Sequence, residues 1–245
     1  MLPFFNEQEL IRPQDLIHDE EDFPSTVIMT WQRQFLDAAK ARYGVKQIAV
    51  FRCGIACPVY EIKLKHETIA MVVLPIGGPV VAGFMEEFRI RGVIRFVAIG
   101  YAGSLSPLTA GNIIVPTQAY RDEGTSWHYA PHDSNWMDVK TSQKLDEILN
   151  DLDVPHILGR VWTTDSFYRE TPSAAKLMKA EKCLCVDMEC AAIMAVSQYR
   201  KLEVFQMLFS ADSLEGERWS IGKLKSHSAD TYEMYLELAI KVALS

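Results

Sequence analysis

The chain has 245 residues, with 25 Lys and Arg against 32 Asp and Glu and a net charge of −7. That balance offers no basic surface for a nucleic-acid backbone or an anionic membrane. A hydrophobic fraction of 49% and a charged fraction of 23% exclude a largely disordered chain and allow one sizeable core.

Residues 1–25 are acidic and broken by Pro3, Pro13 and Pro24, with the run Asp19-Glu-Glu-Asp22. They read as an irregular N-terminal arm, and residues 26–245 as a single domain. The start, Met1-Leu-Pro-Phe-Phe-Asn-Glu, lacks the basic and apolar regions of a secretory signal, and no apolar run is long enough for a bilayer, so a cytoplasmic protein is expected. Thr30 is expected to cap a helix over residues 31–41, closed by Gly44. A short strand over 47–51 follows, then the loop Arg52-Cys-Gly-Ile-Ala-Cys-Pro58 and an alternating strand over 59–64.

The β-branched run Thr68-Ile-Ala-Met-Val-Val-Leu74 has the composition of a strand covered on both faces. It ends in Pro75-Ile-Gly-Gly-Pro79, followed by a helical pattern to Arg91 and a strand over 94–99. The glycine pair is either a tight turn or a place where backbone N–H groups face an anion. A small-residue turn, Gly100-Tyr-Ala-Gly-Ser104, is expected next, then a strand over 111–116 and the polar stretch Arg121-Asp-Glu-Gly-Thr-Ser-Trp-His128, a structured loop or part of a site. Helices are expected over 142–152 and 172–179, with a strand over 157–163 that runs into Thr164-Asp-Ser-Phe-Tyr168.

Cys183-Leu-Cys-Val186 reads as a strand that delivers Asp187 and Glu189 to the start of a helix, and Val204–Phe209 as a strand ending near Asp212. Open α/β sheets put ligands at such strand ends, although acids there also serve simply as helix caps. An irregular polar loop over 214–225 and a last helix over 229–244 complete the chain. The alternation predicts an α/β fold, a three-layer mixed β-sheet flanked by helices. The five cysteines, Cys53, Cys57, Cys183, Cys185 and Cys190, lack zinc-type spacing, so reduced thiols and no metal are expected.

Taken together, Gly77-Gly-Pro79, Ile99-Gly-Tyr-Ala-Gly103, Arg121-Asp-Glu-Gly-Thr-Ser126, Thr164-Asp-Ser-Phe-Tyr168, Val186-Asp-Met-Glu189 and Ser210-Ala-Asp212 resemble the nucleoside phosphorylase superfamily. This superfamily takes in purine nucleoside and uridine phosphorylases and the nucleosidases acting on methylthioadenosine. The likeness spans residues 45–215. It implies cleavage of a nucleoside N-glycosidic bond through a ribosyl-cation-like transition state, with no cofactor. Glu189 would hold the ribose hydroxyls, Met188 pack on the sugar, Phe167 stack on the base, and Asp212 act on the departing base. Tyr101 and Gly103 would complete the nucleoside pocket, and Arg52 and Gly78 would serve the anion. The partners implied are a nucleoside and phosphate as co-substrate, with a homo-oligomer, dimer or hexamer, sharing sites across its interface.

The chain also departs from that pattern. No Gly-Asp-Pro triplet occurs in residues 1–45, Ala98 stands where phosphorolytic members carry arginine, and Tyr101 replaces a hydroxyl residue of the glycine turn. Arg169-Glu-Thr-Pro-Ser-Ala174 stands where the uridine branch carries Gln-x-Arg, which favours purines. Three readings remain open: phosphorolysis; hydrolysis, with a base drawn from Glu7, Glu9 or Glu20; and nucleoside binding without turnover.

Overall fold

The computed structural model describes residues 2–17, 23–109, 112–216, 218–222 and 227–245. The first half of the chain runs β1 (Thr26–Thr30), α1 (Arg33–Arg42), β2 (Gly44–Arg52), β3 (Ala56–Lys63), β4 (Thr68–Val73), α2 (Gly78–Arg89) and β5 (Arg95–Ser104). The second half runs β6 (Ile113–Asp122), β7 (Trp136–Asp138), α3 (Ser142–Asp151), β8 (His156–Thr164), α4 (Pro172–Ala180), β9 (Cys183–Asp187), α5 (Cys190–Arg200), β10 (Glu203–Ser213) and α6 (Ala229–Ala243).

All ten strands join one mixed sheet. One wing is β2-β3-β4-β1-β5, with β1 lying parallel between β4 and β5. Beyond it, β5 pairs with both β9 and β10, and β10-β6-β8-β9 returns to β5, so that five strands close a ring. Strand side chains alternate between faces, and the two faces make two cores. Val27, Met29, Phe96 and Ala98 pack with α2 and α5, whereas Ile28, Val97 and Ile99 pack with α1, α3 and α6. The result is the expected three-layer α/β arrangement. Phe84 and Phe88 of α2 stack at 4.2 Å and are fully buried. Each such side chain contributes about 1.5–3 kcal/mol by leaving water.

Several expected boundaries differ. Thr30 ends a strand instead of capping a helix: Val27-Ile-Met29 is too short an apolar run to declare itself after Pro24, yet it forms the buried β1. The helix starts at Arg33, after Gln32, and Trp31 is left free of it. Gly100–Ser104 is not a turn but the second half of β5, paired residue by residue with β10. Its small residues reflect close neighbours: a Cβ on Gly103 would stand 2.7 Å from Leu214 Cδ1 and 3.0 Å from Val186 Cγ1. Strand β6 continues past Pro116 to Asp122, and the proline is tolerated because the register shifts between Pro116 and Gln118. Strand β7 went unread. The acidic run Asp19–Asp22, Gly111 at the expected start of β6, and residues 217 and 223–226 of the expected polar loop lie outside the described residues.

Candidate active site

The strand ends that the alternation predicted do converge. Asp187 closes β9, Glu189 opens α5, and Asp212 lies near the end of β10, where the register with β5 shifts between Ser210 and Asp212. These residues border a cavity of about 670 Å³, a volume suited to a small ligand.

At one wall, Glu189 is the residue that precedes α5, but its side chain does not cap the helix. Asp187 does that work: its carboxylate accepts the backbone N–H of Cys190 at 2.8 Å and of Glu189 at 3.3 Å, and the Thr163 hydroxyl donates to it at 2.7 Å. Of the two acids, therefore, helix capping belongs to Asp187, and Glu189 is released toward the cavity. Glu189 Oε1 accepts the backbone N–H of Gly77 at 2.6 Å. Gly77 has φ = 115°, a conformation that side chains other than glycine rarely adopt, and this aims its N–H across the gap between α2 and α5. Both carboxyls are buried. Burial raises them above the usual carboxylate range, and the charge of Asp187 raises Glu189 further while the Gly77 N–H opposes the rise.

Elsewhere in the cavity, Trp219 Nε1–H donates to Asp212 Oδ2 at 2.6 Å. The other oxygen, Oδ1, lies beside Gly103, whose missing Cβ would come to 3.4 Å from it. Phe167 and Tyr168 stand at the mouth on the 3-10 turn Phe167–Arg169, with ring centroids 4.1 Å apart. Glu170 follows them and faces the cavity. Burial, and then the charge of Asp212, push its carboxyl up to about 7. Met188 and Tyr101 also line the cavity. The hydroxyl of Tyr101 bonds to that of Tyr232, and its ring makes a T-shaped contact with Phe209 at 4.8 Å and stacks on His227 at 5.6 Å.

Of the residues singled out in the sequence, Asp212, Glu189, Met188, Phe167, Gly103 and Tyr101 border this one cavity. The two assigned to an anion do not. Gly78 is buried in the first turn of α2, where a Cβ would strike Thr125 Oγ1 at 2.9 Å and Ala192 Cβ at 3.0 Å. Arg52 is exposed at the tip of the β2–β3 hairpin. The polar stretch 121–128, which begins in the last two residues of β6, turns inward on itself: Arg121 lies 3.7 Å over the Trp127 ring and donates to Ser126 Oγ at 2.9 Å. Glu7 and Glu9 lie by a separate cavity under the N-terminal arm, where Glu9 pairs with Arg200, and Glu20 lies outside the described residues.

Sequence reasoning missed Trp31, Gln32, Glu170 and Trp219 as cavity residues. Trp31 was hidden by the misread helix start, and nothing in the spacing of the other three marks them. Among the described residues, the lining holds Glu170, Asp187, Glu189 and Asp212 but no Lys, Arg or His. Among the described residues no group of three or more His, Cys, Asp or Glu is arranged to hold a metal ion, and no helix is long and apolar enough to cross a membrane. Chemically, the site joins a buried carboxylate, able to grip hydroxyls and steady positive charge, to an aromatic mouth and a second acidic end.

The family model described as the phosphorylase superfamily matches residues 31–243. The uridine phosphorylase of Treponema pallidum is 26% identical over 199 residues, covering 76% of this chain and 77% of that protein. A DeoD-type purine nucleoside phosphorylase of Caldanaerobacter subterraneus is 25% identical over 173 residues, 67% of this chain and 73% of its own. Among solved structures, purine nucleoside phosphorylase from Toxoplasma gondii in complex with immucillin-H superposes with a TM-score of 0.74 at 20% identity, covering 91% of this chain and 90% of that one.

Proposed function

The chain belongs to the phosphorylase superfamily, and from that premise we propose that it cleaves the N-glycosidic bond of a purine nucleoside, with phosphate as acceptor, giving free base and ribose 1-phosphate. One observation carries the reading: Glu189, Met188, Phe167 and Asp212, which come from three separate strand and turn ends, border a single cavity. Glu189 accepts the ribose 2′- and 3′-hydroxyls on its free oxygen and opposes the positive charge that builds on the sugar. Little water reaches it, so that attraction is weakly screened. Met188 packs on the sugar and Phe167 on the base. Asp212, fixed through Oδ2 by Trp219, turns Oδ1 to the base and assists its departure by hydrogen bonding and proton transfer at the purine N7. The residues Arg169-Glu-Thr-Pro-Ser-Ala174 after the aromatic pair support a purine over uracil.

Phosphate needs a cation, and the exposed Arg52 is available to the cavity of a neighbouring copy in a homo-oligomer. A second reading, hydrolysis, draws support from the lining itself, where, among the described residues, four carboxyls and no basic side chain stand together and a neutral water meets less repulsion than a dianion. The test is a panel of purine and pyrimidine nucleosides incubated with and without phosphate. Ribose 1-phosphate formed only with phosphate supports phosphorolysis; free ribose at a phosphate-independent rate supports hydrolysis. Release of uracil faster than hypoxanthine or adenine overturns the purine assignment.

A further inference from the structure

The tip of the β2–β3 hairpin carries two of the five cysteines, and both are free thiols. Their sulfurs stand 4.0 Å apart. The register explains why they meet. Phe51 pairs with Cys57 and Arg52 with Ala56, so alternation puts Cys53 on the same face as Phe51 and Cys57, and Arg52 on the other. Phe51 and Cys57 are buried in the core that includes Phe84 of α2, and the half-buried Cys53 packs against that core from the loop.

The two sulfurs are unequal. Cys57 is buried in β3, and burial, then the adjoining Cys53, push its thiol up to about 11. Cys53 lies just beyond β2, in a turn closed by its own N–H on the Ile55 carbonyl at 3.1 Å. It is the thiol that solvent reaches, and a reagent meets it first. Gly54 at the apex has φ = 86° and open space where a Cβ would stand. A disulfide needs about 2.05 Å between its sulfurs. The loop is the side that can move to reach it, because Cys57 is held by its pairing with Phe51 and by the core. The other cysteines, Cys183, Cys185 and Cys190, are all buried.

We propose that Cys53 and Cys57 form a reversible dithiol–disulfide site whose co-substrate is a low-molecular-weight disulfide, and that its closure sets the position of Arg52. The second half rests on the nucleoside-cleaving reading, in which Arg52 serves the phosphate of a neighbouring copy. In the first step the Cys53 sulfur attacks one sulfur of the reagent, whose S–S bond breaks; one thiol leaves with the electron pair and the Cys53 proton. The Cys57 sulfur then attacks Cys53, and the second thiol leaves with the Cys57 proton. Two electrons and two protons have passed to the reagent, and excess thiol reverses both steps. The second attack takes place within one hairpin, and that proximity offsets the small thiolate fraction of Cys57. Closure draws the loop about 2 Å toward the core face. Arg52, one peptide bond from Cys53, is pulled back with it.

The experiment treats the full chain, Cys53→Ser and Cys57→Ser with glutathione disulfide and then with excess reduced glutathione. Peptides are mapped by mass spectrometry after alkylation, and base release from a purine nucleoside is measured against phosphate concentration. Expected in wild type is a Cys53–Cys57 link that reduced glutathione opens, with Cys183, Cys185 and Cys190 still reduced. Cys57→Ser stops at glutathione on Cys53, and Cys53→Ser forms no link. Linked wild type shows a KM for phosphate raised roughly threefold, the scale of a weakened exposed ion pair, at a nearly unchanged KM for nucleoside; Cys53→Ser shows no such response. A wild type that keeps both thiols, or halts with glutathione on Cys53, overturns the site. A linked protein with an unchanged KM for phosphate overturns the control of Arg52 and leaves the nucleoside-cleaving reading standing. Reduced wild type without phosphate-dependent turnover overturns phosphorolysis and with it the control of Arg52, and the peptide map still decides the disulfide.

Discussion

Glu189 Oε1 and the backbone nitrogen of Gly77 meet at 2.6 Å across 112 residues of chain, and that bond ties the turn before α2 to the start of α5. It fixes one carboxylate oxygen and leaves the other for the sugar. Glu189→Gln is therefore expected to cut kcat by about 100-fold or more, the scale seen when a preorganised electrostatic contact is lost. Steady-state assay on the best purine nucleoside checks it. A variant within a few-fold of wild type removes Glu189 from the chemistry.

The same substitution has a stability signature of known sign. In the unfolded chain Glu189 titrates near 4.5, and burial raises it in the folded state. The folded state then binds the proton more tightly, so its stability falls as pH climbs from that value toward the raised one. Glu189→Gln removes this penalty. Its melting temperature is expected to exceed that of wild type at pH 8 and to approach it near pH 4.5, by about 2–4 °C for each kcal/mol in a chain of this size. Thermal unfolding at both pH values decides; a variant less stable at pH 8 contradicts the argument.

Asp212 is expected to matter in proportion to how badly the leaving group needs a proton. Asp212→Asn should slow cleavage of purine nucleosides by about 100-fold or more, within the usual range for general acid catalysis. It should slow 4-nitrophenyl ribofuranoside much less. Equal losses on both substrates would mean that Asp212 binds or shapes the cavity without moving a proton.

Phe167 is 44% exposed at the mouth and offers area to a base without hydrogen bonds. Removing it should weaken binding and leave the chemical step. For Phe167→Ala, KM is expected to rise roughly 3–10-fold, matching an aromatic contact of about 0.5–1.5 kcal/mol, with kcat nearly kept. A collapse of kcat at unchanged KM would assign Phe167 to the reacting end instead.

Gly103 is closed in by Leu214, Val186 and Asp212. A methyl there has no free space, so Gly103→Ala is expected to cost about 1–3 kcal/mol, the range for overpacking, and to raise KM by displacing Asp212. Chemical denaturation and kinetics on the same preparation test both halves of the claim.

The sequence was most readable where periodicity and composition act locally. β4 declared itself through its uninterrupted apolar run, and α2, α3 and α6 through their stripes, because one segment carries the whole signal. β1 did not, since its burial is conferred by β4 and β5 on either side. The glycines of β5 looked like a turn because their reason for being small lies in Trp31, Leu214 and Val186, which are distant in sequence. In the cavity, Glu189 and Asp212 stood out by their place after apolar runs, whereas Glu170 and Trp219 enter only through the path of the backbone. The division of labour between Asp187 and Glu189 was also unreadable, because adjacent acids at a helix start have the same local pattern and only the fold decides which one caps.

The ring formed by β5, β9, β8, β6 and β10 has a consequence for synthesis. Strand β10 lies between β5 and β6, yet it is the last strand made. While residues 203–213 are still unmade, β5 and β6 each present an unpaired edge, and Phe205, Met207 and Phe209 are missing from the core they fill. A nascent or truncated chain that stops before β10 therefore displays adhesive strand edges, and such pairing between distant segments is slow to form. Chains cut short of β10 should depend on chaperones or aggregate, whereas the complete ring seals those edges at once.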